Sequence, residues 1–344
     1  MGENIMARER NVSIDILKFM AVLFITNSHM NYVYGDYSAL ATGGAIGDVL
    51  FFFVSGFTLF MGRAGSFDAW YKRRIRRIYP SVFGWAIVAL LFGLSSISIA
   101  DILKGGGEFI SAIMIYYVLL YFIRKYAMDR LPQVFAMSSA IVLLWYIFLF
   151  PEKSDVLMYK RLMRWPCFFL FMLMGAIVGR NSVNEKTGSH AFWGGNNVIS
   201  LFMLFICVLL FYGIQIVGKK NVYVSYLQIT TLIPLFGIIY YLYQLANSKV
   251  LMRLYANKII QVAVLSVGGL CLEIYLVQMP MLIGGVLPFG FTRDALQSLF
   301  PLNVVILTAI IVPLAYITRA TGRIFAQTFD SADGYDWKKV FRLM

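Results

Sequence analysis

The chain has 344 residues, 60% of them hydrophobic, 16% aromatic and only 14% charged, with a mean hydropathy of +0.74. Soluble domains carry roughly 25% charged residues, so this composition excludes a nucleic-acid-binding module, a disordered tail and an ordinary cytosolic enzyme. What remains is an all-α polytopic membrane protein, in which 30 Lys and Arg against 17 Asp and Glu, a net +13, act first as a topology signal.

In chain order, apolar stretches near the roughly 20 residues needed to cross a bilayer fall near residues 12–32, 44–62, 81–100, 109–126, 134–150, 163–179, 191–217, 226–246, 259–286 and 303–317. They predict a helical bundle of about ten transmembrane helices joined by short loops, with a single transmembrane domain over residues 1–320 and a tail over 321–344. Of the 30 basic residues, 21 lie on the side of the N-terminus, 8 on the other side, and Lys18 lies within the first span. The positive-inside rule therefore predicts both termini in the cytoplasm. The loop holding Lys153, Lys160, Arg161 and Arg164 is the one discordant segment.

Arg8 and Arg10 precede the first apolar run as in a signal peptide. That run carries Asp15, Lys18 and His29 and is long enough to span, so it reads as a retained helix. Met6 stands where a myristoylation signal wants Ser or Thr, which argues against lipidation. In the tail, Trp337, Val340, Phe341 and Met344 fall at helical spacing against Lys338, Lys339 and Arg342. This is the pattern of a short interfacial amphipathic helix lying on membrane lipid. Cys167, Cys207 and Cys271 sit in apolar runs without CxxC or Cys/His spacing, so neither a disulfide framework nor a metal site is expected.

Polar residues inside a span are functional-site candidates by default. The first helix is densest, with Asp15, Lys18, Asn27, Ser28, His29 and Asn31. Lys18 and His29 are eleven residues apart, close to three turns, so they share a face with about 16 Å between their levels. One face of this helix is thus expected to line a polar path across much of the bilayer. Asp15 and Lys18, at i and i+3, can pair. His29 reads either as a proton acceptor or as a histidine hydrogen-bonded between helices, and His190 as a solvated loop residue. Lys18 can also snorkel to the headgroups.

The run Tyr71-Lys72-Arg73-Arg74-Ile75-Arg76-Arg77-Ile78-Tyr79-Pro80 places five cations in six positions just before a span. It serves as a topology determinant and anionic-lipid anchor, or as a phosphate clamp, because arginine forks match phosphate oxygens bidentately. Arg74 and Arg77 share a helical face. Asp48, Ser55, Glu273 and Gln278 are further polar residues in apolar runs. Ser55-Gly56 reads as close helix packing through small residues or as part of a site. Glu273 needs a partner such as Lys18 or an arginine at a helix end.

These residues resemble the acyltransferase family 3 membrane proteins over about residues 12–318. The resemblance rests on ordered segments: Ile14-Asp15-Ile16-Leu17-Lys18 with ten residues to His29, Phe52-Phe53-Val54-Ser55-Gly56-Phe57, Arg74 to Pro80 with its Arg-x-x-Arg-Ile-Tyr-Pro pattern, and Leu272-Glu273-Ile274-Tyr275-Leu276-Val277-Gln278. It implies an integral membrane O-acyltransferase that moves an acyl group, often acetyl, from cytosolic acyl-CoA to a hydroxyl of a cell-surface polysaccharide or lipid-linked glycan. The setting it implies is the cell envelope, as a multi-pass protein of the bacterial inner membrane.

The resemblance further implies His29 as the catalytic histidine, acting as general base or acyl carrier. Arg73, Arg74 and Arg77 are implied in acyl-CoA phosphate binding, and Lys18, Asp15, Ser55 and Glu273 as supporting groups. Acyl-CoA enters as co-substrate, with no bound cofactor and no metal. Lys18 stands where the family usually has arginine, which keeps the charge and loses the planar fork. Gln278 stands where many members have histidine. The competing class is a transporter or lipid flippase whose buried Lys18, Asp48, Glu273 and His29 form a substrate or proton pathway; the chain has no evident inverted repeat to match it.

Overall fold

The computed structural model describes residues 11–61, 65–94, 107–149, 161–185, 196–283, 287, 296–329 and 334–342. His190 and Lys153 to Lys160 lie outside them. Among the described residues the secondary structure is helical throughout, without strands. The α-helices are α1 (Val12–His29), α2 (Gly44–Met61), α3 (Phe67–Leu91), α4 (Glu108–Tyr126), α5 (Leu131–Leu149), α6 (Arg161–Glu185), α7 (Asn197–Lys220), α8 (Leu232–Ala246), α9 (Lys249–Ala256), α10 (Lys258–Gly269), α11 (Cys271–Gln278), α12 (Leu302–Thr328) and α13 (Trp337–Val340).

Among the described residues eight helical segments are long and apolar enough to cross a membrane, nine if the pair α9 and α10, bent by 97°, is taken as one span. Two of the expected ten spans differ. Residues 81–100 begin in the second half of α3, a helix whose first half carries the basic run, and 95–100 lie outside the described residues. Residues 259–286 form no continuous helix: α10 stops at Gly268-Gly269-Leu270, α11 restarts at Cys271, and a π turn follows over Met279–Ile283. Paired glycines are poor helix formers, and Gly268 lies so close to the backbone of α1 at Asp15 and Phe19 that a Cβ there would sit 3.2–3.3 Å from it.

Glycine contacts set the bundle's centre. A methyl on Gly56 would strike the Met172 carbonyl, and one on Gly175 would strike the Phe53 carbonyl, so α2 and α6 touch backbone to backbone. Gly84 meets the Thr318 carbonyl and Gly322 the Pro80 carbonyl, which joins α3 to α12 in the same way. Small residues permit this approach where lipid supplies no hydrophobic drive between helices. α2 has 61% of its spanning window buried by protein, whereas α5 has 17% and α7 only 11%. Apolar helices so little covered by protein face lipid, so α5 and α7 form the periphery and α2 the core.

Local signals fix the helix starts. Asn11, Ser66, Asn196, Ser248 and Asn257 cap α1, α3, α7, α9 and α10 by accepting from backbone N–H groups in the first turn. At the other end of the chain the tail folds back on α12. Arg323 Nη1 donates to the Lys339 and Val340 carbonyls at 3.1 Å and to that of Arg342, and Tyr316 donates to the Phe341 carbonyl at 2.7 Å. Val340, expected on the lipid side, is turned fully into the protein, while Trp337 and Phe341 stay exposed and stack at 6.1 Å.

Candidate active site

A cavity of about 310 Å³ opens between α1, α2, α3, α4, the α10–α11 break and α12. This is within the size range of small-molecule sites, about 300–1,000 Å³. Four cations line it: Lys18 from α1, Arg74 and Arg77 from α3, and Arg319 from α12. Ser55 and Thr58 of α2, Tyr117 of α4 and Glu273 of α11 add polar atoms, and Ile78, Ile110, Ile113 and Leu265 are among its apolar walls. α3 divides its basic run by helical phase. Arg74 and Arg77 face the cavity, and Lys72, Arg73 and Arg76 are exposed outside its wall.

Arg74 is held by aromatic faces. Its guanidinium sits 4.6 Å from the Trp70 ring centre and 5.6 Å from that of Tyr117, a cation–π arrangement that suits a partly desolvated arginine. Trp70 is fully buried, donates from Nε1 to the Tyr117 carbonyl at 3.2 Å, and has Arg124 at 5.7 Å from its ring. Among the described residues the buried Arg74 Nε has no hydrogen-bond partner. The arginine is thus held by stacking at the cavity wall.

Glu273 answers the expectation of a partner with an arginine rather than with Lys18. Its Oε1 accepts from Ser81 Oγ at 2.6 Å and lies 3.7 Å from Arg319 Nε, while Oε2 is buried without a hydrogen-bond partner among the described residues. This links α3, α11 and α12 through one carboxylate only 3% exposed. Gly84 and Gly322 bring the α3 and α12 backbones together beside it.

A second, narrow space of about 20 Å³ adjoins the cavity and shares Phe51, Phe109, Cys271 and Leu272 with it. It continues to Val22, Ile25, Ile274, Tyr275 and Gln278. On α1 the stripe from Lys18 to His29 therefore runs through Val22 and Ile25. This corrects the expected continuous polar path: a spacing of eleven selects the two polar ends, and the residues between them on the same face are apolar.

His29 is the last residue of α1, one turn beyond Ile25 and half-buried. Its Nδ1 is buried and has no hydrogen-bond partner among the described residues, so the alternative of a histidine clamped between helices through that atom is not met. Hydrogen bonds around it fix its turn. Thr26 donates to Gln278 Oε1 at 2.7 Å. Asn27 Nδ2 donates to the Leu40 and Thr42 carbonyls at 2.8 and 3.0 Å, and the Tyr34 hydroxyl donates to Asn27 Oδ1.

Of the residues singled out in the sequence, Lys18, Ser55, Arg74, Arg77 and Glu273 meet in one cavity; His29 lines neither this cavity nor the narrow neck beside it, and follows one helical turn after Ile25, which lines the neck. Asp15 is buried on α1 outside the cavity wall, and Arg73 is exposed. Gly56 serves helix packing while its neighbour Ser55 lines the site. Asp48 lies within electrostatic reach of Arg164, which pairs with Glu108 at 2.8 Å; one cation of the discordant loop is therefore neutralised locally. Arg319, Tyr117 and Thr58 were not singled out. Arg319 looked like an ordinary topology cation, and Tyr117 and Thr58 are chemically quiet residues in apolar runs. Among the described residues no group of three His, Cys, Asp or Glu is placed to hold a metal ion.

The fold and this site define an integral membrane protein with a cationic cavity inside its bundle, an apolar space beside it, and a histidine at the end of the helix that lines both. A family model described as an acyltransferase domain (Acyl_transf_3) matches residues 11–320, and the chain belongs to that acyltransferase family. No curated protein and no solved structure shows a significant match to the chain.

Proposed function

We propose that this membrane acyltransferase takes an acyl group, acetyl in the first instance, from cytosolic acyl-CoA and delivers it to a hydroxyl of a cell-surface polysaccharide or lipid-linked glycan. Arg74 and Arg77, with Lys18 and Arg319 deeper in the wall, hold the CoA phosphates. The thioester reaches into the neck, with its carbonyl towards His29. There the imidazole accepts the proton of the acceptor hydroxyl as its oxygen attacks the thioester carbonyl. The carbon–sulfur bond breaks, and the proton passes to the departing CoA thiolate, giving the ester and free CoA. In the covalent variant His29 first carries the acyl group and then yields it to the hydroxyl. Ping-pong kinetics or a trapped acyl-histidine separates the two.

The observation that carries this reading is the junction of a cavity lined by Arg74 and Arg77 with a neck on the Lys18-to-His29 stripe. The cations suit pyrophosphate oxygens. The apolar neck suits a thioester and excludes bulk water from it. It does not suit the transporter alternative, which needs polar groups along the whole route. In this reading the basic end of α3 and both termini face the cytosol, where acyl-CoA is made, and His29 lies towards the outer face of a bacterial inner membrane. The tail beyond residue 320 rests its exposed Trp337 and Phe341 on the cytoplasmic leaflet.

The test is consumption of radiolabelled acetyl-CoA by the purified protein with a cell-envelope glycan extract as acceptor. Labelled ester should form with the wild type and fall to background with His29→Ala. Transfer at the wild-type rate by His29→Ala would end the proposal.

A further inference from the structure

The narrow neck that adjoins the cavity, on the α1 stripe in the direction of His29, is walled by aromatic rings. Phe51 of α2 and Phe109 in the first turn of α4 line both spaces, and Tyr275 of α11 lines the neck alone. The Phe51 and Phe109 rings lie 4.8 Å apart, Phe109 and Tyr275 5.3 Å apart, and Phe52 backs Phe109 at 4.6 Å. These are the separations of favourable edge and tilted aromatic pairs. Across the neck stand Val22 and Ile25 of α1, both buried. α1, α2, α4 and α11 thus each contribute to one ring.

The free space inside it, about 20 Å³, is that of about one water-sized group. An acetyl group extends a single methyl beyond its carbonyl, which matches this space. Each further methylene has to displace rings packed on one another, and protein interiors packed at crystal density yield little.

We infer that Phe51, Phe109 and Tyr275, closed by Val22 and Ile25, form a collar that sets the length of the acyl group and restricts the donor to a two-carbon thioester. The inference rests on the acyl-CoA reading above and adds the residues that make the selection. A hydrophobic site discriminates one methylene by about 10- to 200-fold. The wild type should therefore turn over acetyl-CoA at least about tenfold better in kcat/KM than butyryl-CoA, and hexanoyl-CoA hardly at all.

The experiment measures free thiol released from acetyl-, butyryl- and hexanoyl-CoA by the full-length protein in lipid nanodiscs with the glycan extract, alongside the Kd for CoA itself. Val22→Ala and Phe109→Leu should each bring the acetyl-to-butyryl ratio down about tenfold. Ile25→Phe should lose acetyl turnover. Val22→Ala and Ile25→Phe, which lie outside the cation-lined cavity, should keep the Kd for CoA within about twofold, which also reports that they have folded. An unchanged ratio in both enlarged variants, with acetyl turnover and CoA binding retained, overturns the collar. A wild type that releases no thiol from any acyl-CoA instead overturns the donor reading, and the collar falls with it. A wild type that prefers butyryl-CoA overturns the size limit alone.

Discussion

The two ends of the α1 stripe are built on opposite plans. At the Lys18 end, cations from three helices surround a roomy cavity, with Arg74 held by ring stacking and Arg319 by the Ser81–Glu273–Arg319 link. At the His29 end stands one imidazole whose Nδ1 has no hydrogen-bond partner among the described residues, one turn after the Ile25 that lines a space of about 20 Å³. Anion binding is thus spread over several side chains, and the chemistry rests on one. A change at the cationic end should weaken donor binding by a graded amount, whereas a change at the histidine should stop turnover and leave binding alone.

The largest effect expected is at His29. His29→Ala should lower acyl transfer by about 10²- to 10⁴-fold, the usual contribution of a positioned proton acceptor, with the Kd for acetyl-CoA within about twofold of wild type. Parallel kinetic and calorimetric titrations measure both, and a binding defect of the same size as the rate defect would break the contrast between the ends.

Next come Arg74 and Arg77. Loss of a charge-assisted contact removes about 1.5–3 kcal/mol, so Arg74→Ala or Arg77→Ala should raise the Kd for CoA by roughly 10- to 150-fold. Arg73→Ala should change it less than about threefold, because Arg73 lies outside the wall. Equal effects from Arg73 and Arg77 would mean that the run acts as a bulk charge rather than through its cavity-facing side.

Glu273→Ala leaves Arg319 and Ser81 without their shared acceptor. It should lower stability by about 1–3 kcal/mol, read as a fall in thermal melting temperature in detergent, with Glu273→Gln intermediate. The smallest effect is expected at Lys18. Lys18→Arg keeps the charge and adds the fork, so CoA affinity should shift less than about threefold, while Lys18→Met should weaken it further.

Much of this site was legible because helical phase alone decides it. The eleven-residue spacing put Lys18 and His29 on one face, and the i, i+3 spacing separated the cavity-lining Arg74 and Arg77 from the neighbours outside the wall. The partner of Glu273 was legible only as a type, since Arg319 is brought to it by the Gly84 and Gly322 contact between α3 and α12. No local pattern encodes which glycines meet. The neck was misread as polar because the charged ends drew the reading past Val22 and Ile25. Hydropathy does not register the break at Leu270, because the run from 259 to 286 stays largely apolar across the turn that Gly268 and Gly269 allow.

The central claim is that donor binding and acyl transfer reside at opposite ends of one helix face. The most direct measurement compares His29→Ala and Arg77→Ala at saturating radiolabelled acetyl-CoA, with the glycan extract as acceptor. The account predicts that Arg77→Ala recovers most of the wild-type transfer rate once the donor saturates, and that His29→Ala stays at least about a hundredfold below it. Transfer by His29→Ala at the wild-type rate, or failure of saturating donor to restore Arg77→Ala, would contradict it.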